Sequence, residues 1–521
     1  MLSGGLQVLI FPRISLHFLC WVAVAPLLYA LLRGRGGEGA MCDSDGRSLR
    51  PFTLWQGFLL AWASGLIWYL GTCYWVFPVM TGYGGLNAFV AGAITLAAGF
   101  GMGLHHAVFG LLVMLMARRS TLGNRRPLLL APVFWVGIEL FRDRITGFPW
   151  NLLGYSQVDN IPFARISQLA GVYGLSFAVM LVNCAFVAAM LLPGRRRTNL
   201  LISAAAAAIA LQIGVFAKPE AFVTTQEAVL VQENISLDQE WKPQFFDQTI
   251  SSLAQISVSA SPRHAPGNAG LIIWPESPAP FFTTDPKLQH WLTAMAQDTG
   301  SYLVIGSLGQ NPDAHGEQQL FNSALIVDPK GQAIGRYDKV HLVPFGEYVP
   351  FHDLLGFVGK LTREVGNYSR GTERKVFDLG GTRSGVLICY ESVFPNEVRE
   401  FTANGAQVLI NISDDLWYGE TGAPLQHLQM ARMRAVENHR WLLLATNNGT
   451  SASIDPFGRI VKQAERNVRT TLVAPFAPLS ESTFYSRNGD VFAWICVIIS
   501  ILAVFVRQRF SARTMIEARS T

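Results

Sequence analysis

Two hydrophobic patterns divide the chain. Long apolar runs fill residues 1–216 and 490–506, whereas 219–489 has the mixed composition of a water-exposed domain. The runs lie at 4–11, 14–32, 53–77, 86–116, 127–141, 166–192, 199–216 and 490–506. A spanning helix needs about 20 apolar residues, so Gly4–Phe11 is too short alone and 127–141 is marginal. A basic leader and a small-residue cleavage site are both missing, which argues against a signal peptide. In the second pattern, short apolar strands alternate with helical stretches. Strands are predicted at 228–235, 271–276, 301–308, 323–328, 385–390, 407–413, 441–447 and 451–455. Several are apolar throughout, as strands covered on both faces are. Asp328-Pro-Lys-Gly331 and Asp455-Pro-Phe-Gly458 have hairpin chemistry. Gln426–Arg440 has helical spacing, with Leu428, Met433 and Val436 toward a core. The expected domains are a transmembrane bundle of about seven segments over 1–216, an α/β domain over 217–489, and a last membrane helix with its tail over 490–521.

Charge sharpens this picture. The formal net charge of +5 could suggest nucleic acid, but the basic residues sit in short loops between apolar runs. Arg33, Arg35, Arg47 and Arg50 lie in one loop, Arg118, Arg119, Arg125 and Arg126 in another, and Arg195, Arg196 and Arg197 in a third; Arg507, Arg509, Arg513 and Arg519 follow the last run. These are alternate connections, which the positive-inside rule places in the cytoplasm. Both termini are then cytoplasmic and 217–489 lies outside, in the periplasm of a double-membrane bacterium. Between the fifth and sixth runs, Glu139, Arg142 and a Gly147-Phe-Pro-Trp150 stretch suggest an interfacial loop, with Trp150 as an aromatic-belt anchor; for Glu139 a pair with Arg142 is one of the readings left open.

Of six cysteines, only Cys389 lies in 217–489, so no disulfide forms within that domain. No zinc-type spacing is present, and no metal or cofactor site is visible. Val386, Leu387 and Ile388 read as a buried strand that delivers Cys389 at its end, and Pro395 opens a following helix. A thiol on such a turn is expected to feel the helix dipole and to favour thiolate; the competing reading is a small core residue. Two further motifs end strands or hairpins: Ile273-Trp-Pro-Glu276, and Arg336-Tyr-Asp-Lys339-Val-His-Leu-Val-Pro-Phe-Gly-Glu347-Tyr-Val-Pro. Strand C-terminal ends are where α/β proteins gather reactive groups. Glu276 can take the thiol proton, and Lys339 can stabilise a thiolate and a tetrahedral oxyanion.

In order and spacing, these motifs resemble the Glu–Lys–Cys triad of the nitrilase, or carbon–nitrogen hydrolase, superfamily. With the flanking apolar runs, the chain resembles the membrane-anchored apolipoprotein N-acyltransferase family nearly end to end. Phe148-Pro-Trp150, Gly154–Gln157, Val231–Ile235, Trp241, Ser369–Gly371 and Thr446–Gly449 also match; the first membrane helix looks shortened. The resemblance implies an α-β-β-α sandwich beside the membrane bundle, no cofactor, and a ping-pong reaction in the bacterial inner membrane. Cys389 would take an acyl chain from a phospholipid, phosphatidylethanolamine being the expected donor. The thioester would then pass it to the α-amino group of an apolipoprotein's diacylglyceryl-cysteine.

The resemblance also gives Glu347 a role orienting Lys339 or sharing base duty with Glu276, and Trp241 a substrate contact. Tyr390 and Glu391 are read as pocket architecture, Phe345 and Tyr348 as a membrane-facing lid, and His341 as structural; Asp414, Asp415 and Trp417 are weaker pocket candidates. A monomer is expected. The alternatives are a membrane-tethered amidase that hydrolyses its acyl-enzyme, a transporter with an appended domain, and an inactive scaffold. Two lipid substrates account for the apolar runs better than a soluble amide does. Few ionisable residues lie within those runs, which argues against a transporter, and intact triad positions argue against a scaffold.

Overall fold

The computed structural model describes residues 1–33, 53–82, 84–117, 125–191, 194–236, 243–261, 269–276, 281–313, 316–348 and 368–520. The chain forms two compact units: one comprises Met1–Phe77, Phe89–Lys218 and Asn488–Thr521, the other Pro78–Ala88 and Pro219–Arg487.

The first unit is helical. Ala88–Ala117, Ser167–Met190 and Arg195–Phe216 are long and apolar enough to cross a membrane, and the bent pair Leu54–Thr72 and Val76–Gly82 is a fourth if taken as one span. His17–Leu32 and Val491–Arg507 are shorter apolar stretches, and Leu2–Leu9 has only 8 residues. Exposed apolar residues at Trp494, Ile498, Ile501, Leu502 and Phe505 recur at helical spacing, a stripe suited to lipid rather than water. Buried polar side chains join the helices. Asn183 Oδ1 accepts from the Val24 and Ala25 amides, and its Nδ2 donates to the Cys20 carbonyl, the side-chain bonding expected between packed membrane helices.

The loop near Trp150 differs from the sequence reading. Trp150 is fully buried, packed against Trp75 and Phe148 with ring centroids 5.0 and 5.8 Å away, so it is no interfacial anchor. Glu139 Oε1 accepts from Trp135 Nε1 and the Leu153 amide, while Arg142 donates to the Trp150 carbonyl. Both charged side chains therefore hold the loop from within the unit.

The second unit is built on two six-stranded sheets. The strands are β1 Gln226–Gln232, β2 Gly270–Ile273, β3 Ser301–Pro312, β4 Gln318–Val327, β5 Ala333–Asp338, β6 Val376–Leu379, β7 Thr382–Ile388, β8 Val408–Ser413, β9 Trp441–Thr446, β10 Ala452–Ile454, β11 Ile460–Gln463 and β12 Thr470–Phe476. Their orders are β12-β1-β2-β3-β4-β5 and β11-β10-β9-β8-β7-β6. Each sheet centres on three parallel strands, β1–β3 and β7–β9, with antiparallel strands outside them. The helices Phe246–Ala260 and Pro286–Thr299 connect the first parallel set, and Pro395–Ala403 and Ala423–Asn438 the second. Every residue of β2, β8 and β9 is buried, which is why their sequences run apolar without alternation. Ile250, Leu253, Leu288 and Leu292 pack on Val229, Ile272, Leu303 and Ile305 as one helix-on-sheet core. The two Asp-Pro-X-Gly turns connect β4 to β5 and β10 to β11, with Asp328 and Asp455 side chains accepting from amides ahead. Layered sheets and helices of this kind make the unit an α/β sandwich.

Candidate active site

Three strand ends converge. Glu276 follows β2, Lys339 follows β5, and Cys389 follows β7. The Lys339 side chain is 1% exposed and its Nζ donates to Glu276 Oε1 at 3.0 Å and to Glu347 Oε1 at 2.9 Å. An ammonium out of water persists only when paired. Burial alone would lower the lysine pKa, but Glu276 and Glu347 override it and hold it well above its usual value. Lys339 is therefore a fixed positive charge and not a base.

Asn322, on β4, completes this cluster: its Nδ2 donates to Glu276 Oε1 at 2.7 Å and to Glu347 Oε1 at 2.6 Å. Glu276 Oε2 accepts from the Asp414 amide at 3.0 Å. Glu347 Oε2 accepts from the Val343 amide at 2.7 Å, closing its own turn. In that turn Phe345 has φ 62° and is 44% exposed, while Arg370 lies over the Tyr348 ring. Ser369–Gly371 holds the same region. The Gly371 amide donates to the Lys339 carbonyl, and a Cβ at Gly371 would overlap the Asp338 carbonyl oxygen, so glycine is required beside the lysine.

Cys389 sits in a left-handed conformation, φ 51°, rare for a non-glycine residue and a mark of sites held in place by their surroundings. It opens the 3₁₀ turn Cys389–Val393, and the helix begins only at Pro395. This corrects the expected thiolate. The dipole acts within the first helical turn, and the cysteine lies before it. Burial and the Glu276 carboxylate push the thiol pKa well up, against the opposing pull of Lys339 and a hydrogen bond with Ser413. Together these favour the protonated thiol over the thiolate.

Glu391 joins the two sheets. Its Oε2 accepts from the Ile388 amide at 2.8 Å, and its Oε1 accepts from the Val340 and His341 amides at 2.7 and 3.2 Å and from Tyr337 Oη at 2.8 Å. One carboxylate thus ties the segment bearing Lys339 to the turn bearing Cys389. Burial pushes its pKa up to about 7 in spite of these donors. Tyr390 packs against His341 and Phe394, and His341 Nδ1 contacts Glu397 Oε1 at 2.8 Å. Trp241 lies outside the described residues. Sequence reasoning passed over Asn322, Ser413 and His427; the available signal was, for the first two, a polar residue within an apolar strand, which needs a buried partner, and for the third a histidine in the helical stretch Gln426–Arg440. Among the described residues, no group of His, Cys, Asp and Glu is arranged to hold a metal ion.

Comparison with known proteins accounts for both units. Residues 3–185 match the model of the apolipoprotein N-acyltransferase N-terminal domain, and 188–479 match that of the carbon-nitrogen hydrolase family. The apolipoprotein N-acyltransferase of Geobacter metallireducens is 36% identical over 507 residues, spanning 95% of this chain and 92% of that one. Those of Pseudomonas syringae and Bradyrhizobium diazoefficiens are each 32% identical, spanning 87% and 78% of this chain. With a carbon-nitrogen hydrolase unit joined to that N-terminal domain and this likeness along nearly its whole length, the chain belongs to the apolipoprotein N-acyltransferase family.

Proposed function

We propose that the protein takes an acyl chain from a membrane phospholipid, phosphatidylethanolamine being the donor the family resemblance suggests. It passes the chain through a Cys389 thioester to the α-amino group of an apolipoprotein's N-terminal diacylglyceryl-cysteine. The observation carrying this reading is the buried Glu276–Lys339–Glu347 cluster beside a cysteine in a left-handed turn, in a chain that also bears apolar helices suited to a bilayer.

With its pKa held up, the thiol needs a base for attack, and Glu276 is the carboxylate that acts on it most strongly. As Sγ bonds to the ester carbonyl carbon, the thiol proton passes to Glu276, and Lys339 stabilises the oxyanion. Collapse breaks the ester C–O bond, and the departing lysophospholipid takes the proton back as an alcohol. The acceptor amine then attacks the thioester, giving its proton to Glu276, and the C–S bond breaks to return Cys389 as a thiol. Glu347 holds Lys339 and Asn322 in place. Acceptor preference tests the reading. Purified enzyme given phosphatidylethanolamine and a diacylglyceryl-cysteine peptide is expected to yield the N-acyl peptide by mass spectrometry. Free fatty acid at an unchanged rate, with the peptide unmodified, would instead make the protein a hydrolase.

By its alternate arginine-bearing loops, we place the enzyme as a multi-pass protein of the bacterial inner membrane, with the catalytic unit in the periplasm and both termini in the cytoplasm.

A further inference from the structure

A second polar set surrounds the Cys389 turn and takes no part in the steps above. His427, on the helix Ala423–Asn438, is fully buried. Its Nε2 lies 3.2 Å from the Cys389 carbonyl oxygen and 2.8 Å from Ser392 Oγ, and its Nδ1 lies 3.1 Å from Asp415 Oδ1. Ser392 Oγ itself donates to the Cys389 carbonyl at 3.1 Å, and Ser413 Oγ donates to Asp415 Oδ1 at 3.1 Å.

The ring stands between the Cys389 carbonyl and the Ser392 hydroxyl on one side and the Asp415 carboxylate on the other, so the helix Ala423–Asn438 braces the turn through it. Asp415 is held in place by close packing: a Cβ at Gly449 would overlap its Oδ2, which gives the Thr446–Gly449 motif a steric role.

We propose that His427, itself held by Asp415, is a positioning residue that braces the left-handed Cys389 turn through its carbonyl and Ser392. The idea rests on the reading of Cys389 as the nucleophile. Its action is to hold Sγ in line with the ester carbonyl, without touching substrate.

The test compares His427→Ala with His427→Gln, which restores a hydrogen-bonding side chain, in the full-length protein in lipid. Thioester formation is expected to slow by roughly a hundredfold in the alanine variant, the scale of a displaced reacting group. KM for phospholipid should not move, and the glutamine variant should recover part of the rate. An unchanged rate in a folded alanine variant, or a loss confined to KM, overturns the proposal. Ser392→Ala, which removes the hydroxyl between the ring and the turn, serves if the His427 variants do not fold: slower thioester formation at unchanged KM is expected, and an unchanged rate overturns the proposal. A wild-type Cys389 that never acylates defeats the nucleophile reading, an outcome separate from the rates of the variants.

Discussion

At the scale of single residues, the chemistry turns on opposing charges around one buried thiol. Glu276 raises the Cys389 pKa and Lys339 lowers it, so their removal should move the thiol in opposite directions. Alkylation of Cys389 by iodoacetamide, followed by mass spectrometry across pH, is expected to rise steadily above pH 8.5, the ordinary thiol value of about 8.5. Glu276→Gln should shift the profile to lower pH, and Lys339→Met to higher pH, each by roughly one unit or more for a charge in contact range. The sign matters: Glu276→Gln then has the more acidic thiol and yet the slower acyl transfer, because it has lost the base. Shifts in the same direction for both variants would contradict this placement of charges. Position at strand and hairpin ends singled out Glu276, Lys339 and Cys389, and the family resemblance added Glu347. What they did not carry was the protonation of the thiol, because burial and the distance from Cys389 to the Pro395 helix are set by the fold.

At the scale of elements, Glu391 is the clasp between the β5 and β7 exits. Replacing it with alanine leaves the Ile388, Val340 and His341 amides and the Tyr337 hydroxyl without their acceptor. A buried group left unpaired costs about 1–3 kcal/mol, so Glu391→Ala should lower stability by at least about 3 kcal/mol and speed amide exchange at Val340 and Ile388. Unchanged exchange at both amides would remove the clasp from the account. Other motifs also gain physical content. The Asn447 side chain bonds both the amide and the carbonyl of Ile235, so the Thr446–Gly449 and Val231–Ile235 motifs are one joint. The eight strands legible in the sequence are those whose apolar runs are buried within the sheets. The four that were not, β5, β6, β11 and β12, are the outer strands of the two sheets. Ile460–Gln463 carries a lysine, Val376–Leu379 an aspartate and Thr470–Phe476 a proline, as free edges do. Polar positions on such edges erase the pattern that marks a covered strand.

At the scale of the molecule, the apolar helices account for how a soluble-looking catalytic unit could reach lipid substrates. If both termini are cytoplasmic, green fluorescent protein fused after Thr521 should fluoresce and alkaline phosphatase fused there should be inactive; the reverse pattern would invert the proposed topology. The division into two units was legible because apolar composition is itself the signal for a bilayer. The packing of Trp150, Glu139 and Arg142 inside the helical unit was not, since aromatic and charged residues near a membrane boundary read alike whether they face lipid or neighbouring helices. The central claim is that acyl transfer passes through Cys389. Its most direct test is intact-protein mass spectrometry of the enzyme incubated with phosphatidylethanolamine and no acceptor, beside Cys389→Ala. The account predicts a gain of one acyl chain in the wild type, absent from the variant and discharged by hydroxylamine or a diacylglyceryl-cysteine peptide. A wild type that never gains the acyl mass, or a variant that gains it equally, would contradict the thioester route.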